Sequence, residues 1–231
     1  MTNFSRYAIY YAPPEGDYLS EFTASWFGWN PHRGTKVSYL KLNDLNFEIS
    51  AITKNPRRYG FHGTLKAPFN LIRSRTVKEL KLAILKLSQS VQKFEIKSMI
   101  LQNLNGFVVI TPAMENKAIG RLAKKCVEEL DLFREPEPIK KMQMRRSKGL
   151  SKSEERLLQK WGYPYVLENF KFHLTMSGKL KPEASQNVID VLTSELQPVL
   201  KKPLLINQIC LFGENIRHGN FEIIEKFQLA D

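Results

Sequence analysis

Two stretches of this chain carry one pattern. Residues 59–65 read Tyr-Gly-Phe-His-Gly-Thr-Leu, and residues 170–176 read Phe-Lys-Phe-His-Leu-Thr-Met. Side chains alternate across an extended backbone, so His and Thr share one face in each stretch. The preceding Phe and the following Leu or Met fall on the other face. An element that is polar on one side and apolar on the other belongs at a boundary, with a core beneath it and a solvent-filled cleft above. This chain has two such elements, which restricts it to folds that bring both to such a boundary. The pattern predicts two facing copies, His62 with Thr64 and His173 with Thr175.

The surrounding sequence repeats as well. Residues 6–12 form a predicted strand closed by Pro13-Pro14, and Asp17 caps a predicted helix over 18–29. A short helix is expected near 43–51, and a strand over 57–66 that Pro68 stops. Val77, Leu80, Ala83, Ile84 and Leu87 recur at three and four, which predicts an amphipathic helix over 76–92. A hairpin follows around Asn105-Gly106, a strong two-residue turn signal. Helices are then predicted over 116–130 and 151–161, the second ended by Gly162. A basic, proline-punctuated connector spans 134–150 between them. A strand near 168–177, a helix over 182–197 opened by Pro182 and two closing strands complete the chain. Strand–helix–strand–hairpin patterns in both halves predict an α+β fold with internal duplication, one domain over residues 1–231.

A chain of 231 residues buries enough surface to stand without disulfides or a structural metal. Apolar residues are 42% and charged residues 25%, which excludes wholesale disorder. Lysine and arginine number 35 against 23 acidic residues, a net charge of +12. That excess draws polyanions, so nucleotides, RNA and other phosphate esters are the candidate ligands. Cys126 and Cys210 lie in separate apolar segments and read as buried thiols suited to a reducing compartment. No apolar run approaches the roughly 20 residues that span a bilayer. The first residues also lack the pattern of a secretion signal, so a cytoplasmic location is expected.

The residue types point to chemistry. Imidazole titrates near pH 6.5, so one histidine can accept a proton while another donates one. Displacement at phosphorus needs a base behind the nucleophile and an acid behind the leaving oxygen, and the sequence leaves open which of His62 and His173 plays which part. Thr64 and Thr175 hydroxyls suit the non-bridging phosphate oxygens. Lys66 and Arg58 fall in phase with His62 if one strand covers them all, and are candidate phosphate anchors. No His-x-His, HExxH or cysteine cluster accompanies the histidines, so no metal or cofactor is expected. Tyr7, Tyr11, Tyr59, Tyr163 and Tyr165 are weaker candidates for stacking on a base. His32 and His218 lack the threonine partner and read as turn residues. Lys140, Lys141, Arg145, Arg146, Lys148 and Lys152 in or beside the connector are either a solvated loop or a lid that funnels anions.

The paired motifs resemble those of the two-histidine (2H) phosphoesterase superfamily. The longer stretches, residues 57–69 and 161–176, resemble its branch from bacterial phosphonate-utilisation operons. That resemblance implies a two-lobed fold with approximate two-fold symmetry, mainly antiparallel sheets lining a central cleft and helices outside. It also implies hydrolysis of a cyclic or RNA-terminal phosphodiester without metal, with possible substrates including a cyclic phosphate of ribose from phosphonate breakdown. A small phosphodiester or RNA end is then the partner, with no membrane and no obligate protein partner. The rival reading is a non-catalytic RNA- or nucleotide-binding module that uses the same basic cleft.

Overall fold

The computed structural model of the chain describes residues 3–147 and 149–231. Two runs of elements follow the same order. The first is β1 (Phe4–Tyr11), α1 (Tyr18–Phe27), the short strands β2 (Trp29–Asn30) and β3 (Thr35–Lys36), α2 (Ile49–Ile52), β4 (Gly63–Phe69), α3 (Val77–Gln89), β5 (Phe94–Ile96) and β6 (Met99–Leu104). The second is β7 (Phe107–Pro112), α4 (Lys117–Glu129), α5 (Ile139–Arg146), α6 (Lys152–Trp161), β8 (Leu174–Lys179), α7 (Pro182–Leu200), β9 (Leu204–Ile206) and β10 (Gln208–Asn215), closed by β11 (Phe221–Gln228). Each run is a strand, a helix, a histidine-preceded strand, a helix, a short strand and a further strand.

The strands form a seven-stranded antiparallel sheet in the order β11-β10-β1-β4-β8-β7-β6. The last strand of each run crosses over: β6 pairs with β7 of the second half, and β10 pairs with β1 of the first. β5 pairs with β9, tying the two halves together a second time. The fold is therefore α+β and duplicated, and the exchanged strands make the halves interdependent. At the centre of the large sheet β4 and β8 share one residue pair, Gly63 with Leu174. This pair is the seam between the halves.

Local chemistry explains the elements. Thr76 and Glu79 form a reciprocal capping box at the start of α3, and Ser151 with Glu154 does the same for α6. Asn116 caps α4 through the amides of Ala118 and Ile119. Asn105 and Gly106 both take positive φ, 55° and 93°, as a tight hairpin turn requires. β1 alternates as a central strand should. Tyr7, Ile9 and Tyr11 enter the main core under the helices, while Ala8, Tyr10 and Ala12 join Cys210, Phe212 and Phe221 on the opposite face. Both cysteines are buried free thiols, and burial pushes each up to about 12. Among the described residues no helix is long and apolar enough to cross a membrane.

Several boundaries differ from the sequence reading. Residues 56–59 form a 3₁₀ turn, so the strand begins at Gly63 and not at residue 57. It continues through Pro68, because the β1–β4 register shifts there and no ladder bond is needed at that residue. The second motif strand likewise starts later, at Leu174, after a 3₁₀ turn at Leu167–Asn169. The connector contains helix α5 rather than only loop. Lys141 pairs with Glu137 at 2.7 Å and Arg146 pairs with Glu155 at 2.7 Å, while Arg145 lies 4.7 Å from the Tyr163 ring centre. Much of this basic run is thus neutralised within the protein. Lys148, counted in the run from sequence, lies outside the described residues.

Gly63 is required by the seam. A Cβ at this position would run into the Phe172 ring, which covers the core side of the seam. Gly63→Ala should destabilise the protein through overpacking, by about 1–3 kcal/mol, and so lower its melting temperature. Thermal unfolding of the variant measures this, and an unchanged midpoint would show that Phe172 can step aside.

Candidate active site

The seam brings the two motifs together. Because Gly63 pairs with Leu174 in antiparallel register, Thr64 falls opposite His173 and Thr175 falls opposite His62. The four side chains share one face, opposite the helix-covered core that holds Leu65, Phe172, Leu174 and Met176. Each histidine stands just before its strand, where the backbone is free of the ladder. His62 and His173 are close enough that a charge on His173 disfavours one on His62.

Both imidazoles are oriented in the same way. His62 Nδ1 lies 2.9 Å from the Gly60 carbonyl, and His173 Nδ1 lies 2.7 Å from the Lys171 carbonyl. A carbonyl only accepts, so each Nδ1 carries the hydrogen and donates it. Each Nε2 is then free of partners among the described residues and available for proton transfer. In both motifs the acceptor is the residue two positions earlier. Gly60 has φ +67, a backbone that only glycine adopts without strain, and this conformation aims its carbonyl at the ring. Neither carbonyl was anticipated from sequence; Gly60 in the first motif is the one local signal that could have suggested it.

His62 is held among aromatic rings. Its imidazole stacks on Tyr10 with 3.9 Å between ring centres and 22° between planes, and Tyr59 and Phe212 border it at 6.0 and 6.4 Å. Burial among these rings pushes His62 down to about 4, opposed by its bond to Gly60 and assisted by His173. His62 is therefore neutral at neutral pH. Sequence reading did not single out Tyr10, whose phase on β1 puts it opposite Thr64. The Thr64 and Thr175 hydroxyls make no hydrogen bond within the described residues and are free to meet a ligand.

Two candidate anchors are placed elsewhere. Lys66 is 4% exposed, and its ammonium donates to Asp131 at 3.1 Å and to the Val127 carbonyl at 3.2 Å. The cause is a bulge. Tyr10 opposes Thr64 but the preceding Ile9 opposes Lys66, so β4 carries one extra residue between them. The bulge turns Lys66 from the histidine face to the helix face, where its own burial lowers its affinity for a proton and Asp131 opposes that. Arg58 lies on the 3₁₀ turn rather than on the strand. It donates to Glu214 and, at 2.8 Å, to the Gly219 carbonyl. Glu214 also binds Arg6 at 2.6 Å, and these partners hold its carboxyl down at about 2 against burial. Lys66 and Arg58 are thus both held by acidic partners within the protein.

The other histidines have local roles, as their contexts suggested. His32 Nε2 lies 3.1 Å from the Pro13 carbonyl, and His218 Nε2 lies 3.6 Å from Glu222. Among the described residues no three His, Cys, Asp or Glu side chains converge as a metal site would require.

Sequence comparison places this arrangement in a family. The profile of the family described as "Protein of unknown function (DUF1045)" matches residues 64–222. The chain belongs to that family. This DUF1045 member is 31% identical over 77% of its length to the ribose 1,5-bisphosphate phosphokinase PhnN of Janthinobacterium sp. (strain Marseille). It is 29% identical over 76% of its length to the protein of the same name from Laribacter hongkongensis (strain HLHK9). The match covers 40% of each, so the chain spans two fifths of the length of the curated relatives it matches. Among solved structures, E. coli LigT complexed with NADP+ aligns over the whole of both chains with 13% identity and a TM-score of 0.45. A structure described as a phosphoesterase aligns over 99% of both with 13% identity and a TM-score of 0.43.

Proposed function

We propose that this protein is a metal-independent phosphodiesterase that opens a cyclic or RNA-terminal phosphodiester by two-histidine acid–base catalysis. The observation that carries the reading is the seam register. It sets two imidazoles with free Nε2 atoms and two unpartnered threonine hydroxyls on one face. The lowered proton affinity of His62 favours it as the base and His173 as the acid. Neutral His62 takes a proton from water through Nε2, and the water oxygen forms the new bond to phosphorus. The bond from phosphorus to the leaving oxygen breaks, and His173 gives that oxygen a proton from Nε2. Thr64 and Thr175 donate hydrogen bonds to the non-bridging oxygens, where negative charge is held. The products are a phosphomonoester and a free hydroxyl.

The name of the relatives supports a sugar phosphate as substrate. Opening the 1,2-cyclic phosphate of ribose 5-phosphate at the bond to O2 yields ribose 1,5-bisphosphate, the compound in that name. This fits the link to phosphonate metabolism suggested by the motifs. Hydrolysis of a panel of ribose, nucleoside and RNA-terminal cyclic phosphates in EDTA tests the reading. EDTA-resistant turnover supports it. Tight nucleotide binding with no turnover of any member would instead establish the binding-module alternative.

Two further outcomes are expected. Thr64→Val and Thr175→Val should each lower kcat on the best panel substrate by about 10²-fold, the usual effect of removing one oxyanion donor. Steady-state rates decide this, and losses under threefold would remove the threonines from the site. The pH profile of kcat/KM should keep its rate down to about pH 4, because His62 must be neutral to act as base and is protonated only below that value. An acid limb near pH 6.5 would contradict the assignment of His62 as base.

A further inference from the structure

A groove of about 920 Å³ opens beside His173, far larger than a cyclic phosphate alone requires. Its walls are the N-terminal half of α4 and the segment leading into β8. Lys117, Arg121, Lys124 and Lys171 line it, against the carboxylates Glu115 and Glu168. Glu168 is already bound by Arg156, and Lys124 faces Glu128 at 3.9 Å. Lys117, Arg121 and Lys171 have no carboxylate partner among the described residues. Elsewhere cations are paired with carboxylates, as with Lys66, Arg58, Arg134 and Arg146. Lys117 and Arg121 lie one turn apart on α4, so they present together. Lys171 lies two residues before His173, on the same side of an extended chain.

A second observation points to an occupant. Gly120 sits inside α4 between Lys117 and Arg121 and lines the groove. Glycine destabilises a helix interior relative to alanine. Packing does not call for it here, because an added Cβ would meet nothing within 4 Å. What Gly120 does provide is a flat floor between the cations, where a ligand can approach the helix closely.

We propose that this groove binds a second phosphate of the same substrate, held by Lys117, Arg121 and Lys171 on the His173 side of the scissile bond. The inference rests on the phosphodiesterase reading and narrows its substrate class to sugar cyclic phosphates that bear a further phosphomonoester. A dianion there meets two or three unpaired cations, which suits charge-assisted hydrogen bonds. His173, placed between the groove and the seam, is then the acid for the leaving oxygen of the sugar that the groove holds.

The test compares the 1,2-cyclic phosphate of ribose with its 5-phosphorylated form. Wild type should favour the phosphorylated substrate by roughly tenfold or more in kcat/KM. The double variant Lys117→Gln/Arg121→Gln should lose that preference through KM and keep its rate on the unphosphorylated compound. Gly120→Leu should do the same, while Gly120→Ala raises the melting temperature. Equal kcat/KM for the two compounds in wild type, or equal losses on both in the double variant, would overturn the assignment. So would a preference for an RNA end that the double variant retains. If no member of the cyclic-phosphate panel is turned over, the phosphodiesterase reading fails, and calorimetric titration with ribose 5-phosphate still decides the groove. Binding that the double variant loses upholds it; binding that the variant retains, or none in wild type, overturns it.

Discussion

Replacing His62 or His173 by glutamine is expected to lower kcat on a cyclic phosphodiester by about 10²–10⁴-fold, with the folded state retained. Each imidazole is the one group at its end of the reaction that both bears a free Nε2 and is oriented by a backbone acceptor. The double variant should lose less than the product of the two single effects, because the histidines serve one proton-transfer cycle. The two variants should differ in another respect. His62 stacks on Tyr10 and fills an aromatic pocket, so its loss also lowers stability; His173 makes no such ring contact among the described residues. Steady-state rates with circular dichroism separate the effects. A folded His62→Gln or His173→Gln protein that keeps a third of the wild-type rate would sink the two-histidine mechanism.

Asp131→Ala is expected to destabilise the protein by about 3 kcal/mol and leave catalysis intact. Lys66 is buried under α4, and Asp131 is its carboxylate partner at 3.1 Å. Removing one member of a buried pair leaves a desolvated charge behind. Asp131 is partly exposed and also binds Arg134 at 2.8 Å, which places the loss at the lower end for such pairs. In a chain of this size that corresponds to a melting temperature lower by about 6–12 °C. Below the transition kcat/KM should match wild type, because the pair lies on the helix side of the sheet. A fall in kcat/KM at 20 °C without a fall in stability would return Lys66 to the substrate.

The amino-acid sequence by itself determined the parts of this protein that depend on local periodicity and residue type. His-x-Thr on an extended backbone has a polar face whatever surrounds it, and the two copies in matching frames marked the candidate pair and the duplication. The capping boxes at Thr76 and Ser151 and the Asn105-Gly106 turn are local bonds, so those elements were legible. Strand phase was not. A single bulge after Thr64 moved Lys66 to the opposite face, and a bulge depends on how β1 and β4 pair, not on either strand alone. Arg58 is held by Glu214, a partner 156 residues away that no local pattern reveals. Pairing of Gly63 with Leu174, the exchange of β6 and β10 between halves and the low value of His62 likewise arise from groups distant in sequence. The sequence determined which side chains are candidates for the chemistry; the tertiary structure decided which of them meet, because register and burial are properties of the assembled sheet.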